Sequence, residues 1–188
     1  MEVFEEQHYE NVNFTVDSLL IGEYEKCHFN NCNFSNVDLS NFIFIDCKFI
    51  GTNLSLVKLD NTAFRDIVFK DCKMIGLHFD TTNNFGLIVA FDNCTLTNSS
   101  FYKTKIKSTK FLNSKLSEVD FTLCDLTGSV FENCDLENAV FDQTNLEKVD
   151  FRTSINYSID IDRNKIKKSK HSAAELRGLL GKYGIIID

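Results

Sequence analysis

Cysteine and histidine are the side chains here with the greatest capacity for covalent or metal chemistry, and their spacing argues against it. The cysteines are Cys27, Cys32, Cys47, Cys72, Cys94, Cys124 and Cys134, with no Cys-x-x-Cys pair and no zinc-site Cys/His spacing. His8, His28, His78 and His171 are scattered, and none belongs to a His-Glu-x-x-His motif. No nucleophile elbow, phosphate-binding glycine loop or dinucleotide fingerprint occurs. Carboxylates are abundant, 27 in all, but close pairs arise on any polar repeating surface and do not mark an acid–base dyad. The expectation is a protein with no catalytic residue, no metal ligand and no cofactor.

The cysteines share a different property: each stands two residues before a large apolar residue, as Cys27 before Phe29 and Cys134 before Leu136. Steps of five from Phe4 lead through Tyr9, Phe14, Leu19, Tyr24 and Phe29 to Phe79, and all sixteen positions are large and apolar or aromatic. A second series from Phe91 through Leu96, Phe101 and Ile106 to Phe151 adds thirteen more. A period of five fits neither the 3.6 of a helix nor the 2 of a strand. Two residues earlier the side chain is commonly small or β-branched, as at Val12, Thr52, Ser99, Thr109 and Ala139. In extended backbone, residues two apart point the same way, so each step sends one large and one small side chain inward and then turns a corner. Free cysteine in a reducing compartment suits the small position, so all seven thiols are expected to be buried and reduced. Phe69 and Phe121, central in their runs, are expected in the core.

Runs such as Ala139-Val140-Phe141-Asp142-Gln143 and Cys134-Asp135-Leu136-Glu137-Asn138 resemble the pentapeptide repeat family, and runs of this kind cover most of the chain. The resemblance implies an all-β fold, a right-handed quadrilateral parallel β-helix with four pentapeptides per coil and about seven coils. Stacked strands then give a rod roughly 35 Å long.

The period breaks twice. Between Phe79 and Phe91 two repeats need ten residues and the chain supplies twelve. The irregularity at 80–90 is either a bulge or a partner-binding loop carrying Asn83, Asn84 and Phe85. After Phe151 the repeat stops, which suggests a β-helix over 1–155 and a C-terminal capping or dimerisation segment over 156–188. Ser172-Ala173-Ala174-Glu175 matches a capping box, opening a helix with Leu176, Leu179 and Leu180 on one face. Ile185-Ile186-Ile187 then suggests a short strand. The leucine face is expected to cover the last coil, either as a lid alone or with the isoleucine edge joining a homodimer through residues 172–188.

Composition sets the remaining limits. The 188 residues are 43% hydrophobic and 25% charged, with 18 Phe and no Pro or Trp, which suits one folded domain. The start lacks the basic and apolar regions of a signal peptide, and no apolar run is long enough to span a membrane, so the cytoplasm is expected. Residues 1–150 carry 23 acidic and 12 basic side chains, while residues 151–188 carry 4 and 8. The acidic rod admits two functions. One is a non-enzymatic interaction scaffold or regulator with a protein partner. The other, implied by the quinolone-resistance branch of the family, is a DNA mimic that binds DNA gyrase or topoisomerase and protects it, since duplex DNA is also a regular rail of negative charge. Glu132, Glu137, Asp142 and Glu147 follow the large residue in four successive repeats and are candidate partner contacts, although they should ring one coil. Direct nucleic-acid or membrane binding is not expected.

Overall fold

In the computed structural model, which describes residues 1–186, the five-residue period becomes a four-sided coil of twenty residues. The regular strands are short: β1 (Glu2–Glu5), β2 (His8–Glu10), β3 (Gly22–Glu25), β4 (His28–Asn30), β5 (Ile43–Ile45), β6 (Lys48–Ile50), β7 (Ala63–Arg65), β8 (Ile67–Lys70), β9 (Val89–Asp92), β10 (Lys110–Leu112) and β11 (Val130–Glu132). They form two parallel sheets, β1-β3-β5-β7 on the first side and the seven-stranded β2-β4-β6-β8-β9-β10-β11 on the second. The other two sides are joined by single bridges such as Asn33↔Asn53 and Asp38↔Lys58. The chain is thus the expected β-solenoid of about seven coils.

Side-chain ladders fill the interior. The second side stacks Phe29, Phe49, Phe69, Phe91, Phe111, Phe131 and Phe151, with centroids 4.7 to 5.4 Å apart. The fourth side stacks Phe79, Phe101, Phe121 and Phe141. Rings stack because neighbouring parallel strands lie about 4.8 Å apart, close to the spacing that offset aromatic rings prefer. Across the core the two ladders meet edge to face, as Phe111 and Phe121 do at 6.0 Å and 84°. The first and third sides fill the remaining space with Ile106, Leu126 and Leu146, and with Leu96, Leu116 and Leu136. Phe69 and Phe121 are 1% and 0% exposed, as their phase demanded.

The small position has a polar task as well. Cys47 Sγ donates to the Tyr24 carbonyl at 3.2 Å, Thr52 Oγ1 to Phe29 at 2.9 Å, and Ser154 Oγ to Phe131 at 2.7 Å. A buried carbonyl one coil away thereby gains a donor, which explains why Cys, Ser and Thr share this column with Val and Ala. All seven cysteines are free and buried. Burial pushes Cys47, Cys124 and Cys134 up to about 12, leaving a thiolate fraction on the order of one in 10⁵ at pH 7. Because all seven are buried, native protein should react with no thiol reagent on the timescale of minutes and expose seven thiols in denaturant. Rapid native labelling of several cysteines would refute the buried ladder.

Corners explain the abundant asparagine. Among the described residues, twenty-four non-glycine positions have positive φ, and eleven are Asn and three Asp. These are the L-residues that tolerate the left-handed region best, through local side-chain hydrogen bonds. Asn133 Nδ2 also donates to Asn113 Oδ1 at 3.1 Å, and Asn93 Nδ2 to Asp71 Oδ1 at 2.6 Å, so the corner amides tie coil to coil.

The first break is a two-residue surplus. Ala63 still pairs with Asn83, twenty residues on, but Ile67 pairs with Val89, twenty-two on. The surplus therefore lies between Asn83 and Val89. Leu87 and Val89 turn inward there, while Phe85 and Ile88 stay exposed.

Stacking continues past residue 155, where the sequence expectation ended the β-helix. Lys165 bridges Asn145 and Lys170 bridges Asp150. The reason is substitution within the same slots. Asn164 fills a small position, its Nδ2 donating to the Phe141 carbonyl at 2.9 Å, and His171 stacks on Phe151 at 5.5 Å. Between Ile155 and Lys165, which pair twenty residues back with Asp135 and Asn145, Tyr157 is buried in place of Asn156, while Ile159 keeps the small position of Val119 and Ala139. His171 accepts or donates to Tyr157 Oη at 3.1 Å and Ser169 Oγ at 3.0 Å, and burial lowers its pKa.

The cap differs from its sequence expectation. Ser172 stands at the N-cap of a 3₁₀ turn, Ala173–Glu175, but its side chain makes no capping bond. The α-helix α1 spans only Arg177–Leu180 and leads into a second 3₁₀ turn, Gly181–Tyr183. Ala173–Tyr183 is thus a chain of single turns, in which Gly181 continues the turn and Gly184, at φ 63°, ends it. No helix among the described residues is long and apolar enough to cross a membrane.

Candidate interaction surfaces

A rod with a filled core presents its chemistry outward, in columns of residues twenty apart. At the first break, Asn83 Oδ1 accepts from the Phe85 N–H at 3.0 Å, an Asx turn that lifts Phe85 off the side of the rod. Phe85 is 79% exposed and lies beside Arg65, whose guanidinium carbon is 6.0 Å from the ring centroid. Asn83 Nδ2 donates to Asn61 Oδ1 at 3.3 Å, tying the turn to the coil below. Asn84 is exposed beside it. These three residues do form one local surface.

The four successive acids do not. They follow Phe131 on the second side, Leu136 on the third, Phe141 on the fourth and Leu146 on the first, so Glu132, Glu137, Asp142 and Glu147 point in four directions. Asp142 is also bound by Arg163, with Nε 2.7 Å from Oδ1.

Two columns that successive repeats conceal run along the fourth side: Asp38 and Asp120 stand before Leu39 and Phe121, in register with Lys58, His78 and Ser100, while Asp60, Asp80, Asp142 and Asp162 stand after Leu59, Phe79, Phe141 and Ile161. Several of these carboxylates already have partners within the chain. Lys58 lies 3.8 Å from Asp38, and His78 lies 3.3 Å from Asp80. Lys182 bridges Asp160 and Asp162. Reading every twentieth residue from Asp60, with the two-residue correction after Asn83, passes through Asp80, Tyr102, Thr122, Asp142 and Asp162 and would have found the trailing column in the sequence.

At the C-terminus, Leu179 packs against the core, Leu180 is half-buried and Leu176 is exposed. Leu176 therefore does not share the buried face expected of it, because one four-residue helix cannot orient three leucines alike. Ile185 and Ile186 lie outside any strand and are 55% and 90% exposed, so the expected strand is not formed by them. Ile187 lies outside the described residues. The cap is instead fixed by backbone: the Ile159 N–H donates to the Gly178 carbonyl at 2.8 Å.

Comparison with known proteins agrees with this geometry. A family model described as the pentapeptide repeat region matches residues 23–84 and 88–171, and the gap between the two stretches falls on the two-residue surplus. No curated protein matches. Among solved structures, a trypsin-treated form of QnrB1, a plasmid-mediated fluoroquinolone resistance protein, aligns with a TM-score of 0.59 at 16% identity, over 97% of this chain and 99% of its own. Its full-length form gives 0.50 at 17% identity, over 98% and 100%. HetL, a pentapeptide repeat protein involved in heterocyst differentiation regulation from the cyanobacterium Nostoc, gives 0.49 at 12%, over 97% and 94%. With the family model covering both halves of the solenoid, the chain belongs to the pentapeptide repeat family.

Proposed function

We propose that this chain is a non-enzymatic interaction scaffold, a stiff rod that presents fixed side-chain columns to a protein partner. One observation carries the reading: ring and aliphatic ladders fill the interior from side to side, so recognition has to occur on the outside. A catalytic site normally needs a concave, largely apolar pocket with convergent polar groups, and side chains spread along flat sides supply no such convergence.

A second reading has its own support. The trailing column of the fourth side places carboxylates about 4.8 Å apart where consecutive coils carry them, at Asp60 and Asp80 and at Asp142 and Asp162, a spacing comparable with the roughly 3.4 Å per phosphate along one DNA strand. A fluoroquinolone resistance protein shares the fold. Gyrase binding by DNA mimicry is the consequence to test. The internal pairing of Asp38, Asp142 and Asp162 with Lys58, Arg163 and Lys182 favours the general scaffold over the mimic, because a paired carboxylate offers a phosphate-binding surface less charge.

The deciding experiment adds purified protein to a gyrase supercoiling reaction with and without a quinolone. The scaffold reading expects supercoiling and drug sensitivity unchanged at micromolar protein. Inhibition, or rescue from the drug, that disappears in an Asp60→Lys/Asp120→Lys variant would establish the mimic instead.

A further inference from the structure

The first side carries a pattern that its own chain leaves unused. Two outward columns flank its inward ladder, one before and one after each large residue. The leading column runs Val3, Glu23, Ile43, Ala63 and Asn83, of which Ala63 is buried, and parallel pairing fixes each step. The trailing column runs Glu5, Glu25, Ile45 and Arg65. Ile88 continues it, because its N–H donates to the Phe64 carbonyl at 3.2 Å. One coil further on, Lys105 and Lys107 flank Ile106, and Lys105 bridges onward to Asp125. An apolar centre made of Ile43, Ile45, Phe85 and Ile88 therefore has glutamates two coils below its middle and lysines two coils above.

We infer that this side is an isologous interface, on which a second copy of the chain lies antiparallel. A two-fold axis along the strand direction at the level of Arg65 exchanges coils equally distant from it. Glu23 and Glu25 of one copy then face Lys105 and Lys107 of the other, twice over. Phe85 and Ile88 settle on Ile43 and Ile45. The same side fits no parallel arrangement, since an axis along the rod would set Glu23 against Glu25 and Lys105 against Lys107. Self-complementary surfaces of this kind are the usual basis of two-fold dimers, and opposed charges fix the register.

Two features limit the affinity. Glu25 already lies 3.3 Å from Lys26, and Lys107 lies 3.2 Å from Asp125; both are solvent-facing pairs that exchange partners easily. The two Arg65 side chains approach across the axis, each drawn aside towards its own Phe85. Five coils give a contact roughly 24 Å long, at the small, transient end of specific interfaces. The dimer is therefore concentration-dependent and weakens with salt.

Sedimentation of the full chain at low salt, from about 1 to 100 µM, tests this. The expected result is a monomer–dimer equilibrium that Glu23→Lys/Glu25→Lys weakens at least tenfold and that Lys105→Glu/Lys107→Glu weakens equally. The variant with all four changes should regain the dimer, and that recovery separates a lost contact from a lost fold. Carbodiimide should couple Glu23 or Glu25 to Lys105 or Lys107 between copies of the unaltered chain. A monomer throughout overturns the inference. So does a dimer indifferent to the charge reversals, or one lost when residues 185–188 are removed, which would move the contact to the C-terminus.

Discussion

Truncating Phe121 to Ala is expected to destabilise the protein by about 3–5 kcal/mol and to lower its melting midpoint by roughly 10 °C. The ring is fully buried and bound on every side. It stacks on Phe101 at 5.3 Å and on Phe141 at 5.2 Å, and meets Phe111 and Phe131 edge to face at 6.0 and 5.8 Å. No neighbour can slide into the gap without breaking a ladder of its own, so the cavity should persist and the cost lie near the top of that range. Calorimetry of Phe121→Ala beside Phe85→Ala provides an internal control, because Phe85 is mostly exposed and its loss should barely move the midpoint. Equal shifts in the two variants would mean that the ladders do not carry the stability assigned to them.

Gly178→Ala is expected to detach the C-terminal cap at a cost of about 1–3 kcal/mol, the range for forcing extra volume into a packed contact. A β-carbon at this position would stand 2.2 Å from the Tyr157 carbonyl oxygen and about 3 Å from its ring. Neither backbone can retreat while the Ile159 N–H remains bonded to the Gly178 carbonyl. Hydrogen exchange across residues 157–183 should accelerate, while exchange at Phe91 to Phe131 stays slow, because each coil of a solenoid contacts only its neighbours. Unchanged exchange at Ile159 would show that the cap is held elsewhere.

The period of five made the ladders legible because Phe, Leu and Ile recur at every inward slot. The corners were half-legible: abundant Asn signals left-handed turns, yet Leu56 and Leu123 occupy the same corners at φ 58° and 59° and are exposed, which no hydrophobic pattern predicts. The last coil escaped detection because His171 and Asn164 fill slots that elsewhere hold Phe and Cys or Thr, and a polar side chain there breaks the pattern without breaking the stack. The cap was legible as a lid and misleading in detail. Ser172 and Glu175 carry the letters of a capping box, but in the 3₁₀ turn the Glu175 N–H donates to the Ser172 backbone carbonyl and the hydroxyl makes no capping bond. Of the candidate surface, Phe85 was visible as a surplus residue. The aspartate columns of the fourth side and the apolar first side were not, because neighbours in space lie twenty or twenty-two residues apart in sequence.

That spacing restricts how such a gene can change length. Removing twenty residues between Phe91 and Phe151 would take out one whole coil, shorten the rod by about 4.8 Å and leave every downstream residue facing as before. Removing five would preserve the ladders equally well, since any pentapeptide can occupy any side, but would rotate everything beyond the deletion by a quarter turn. The fold would survive and the surface would be scrambled, with aspartates of the fourth side delivered to a neighbouring one. Pairing across the surplus, Ile67 to Val89 and His78 to Ser100, shows the tolerated alternative, in which two extra residues are looped out and the sides stay in phase. Duplication and loss in this lineage should therefore proceed in whole coils or in small looped insertions wherever a surface is under selection, and in single pentapeptides only where none is.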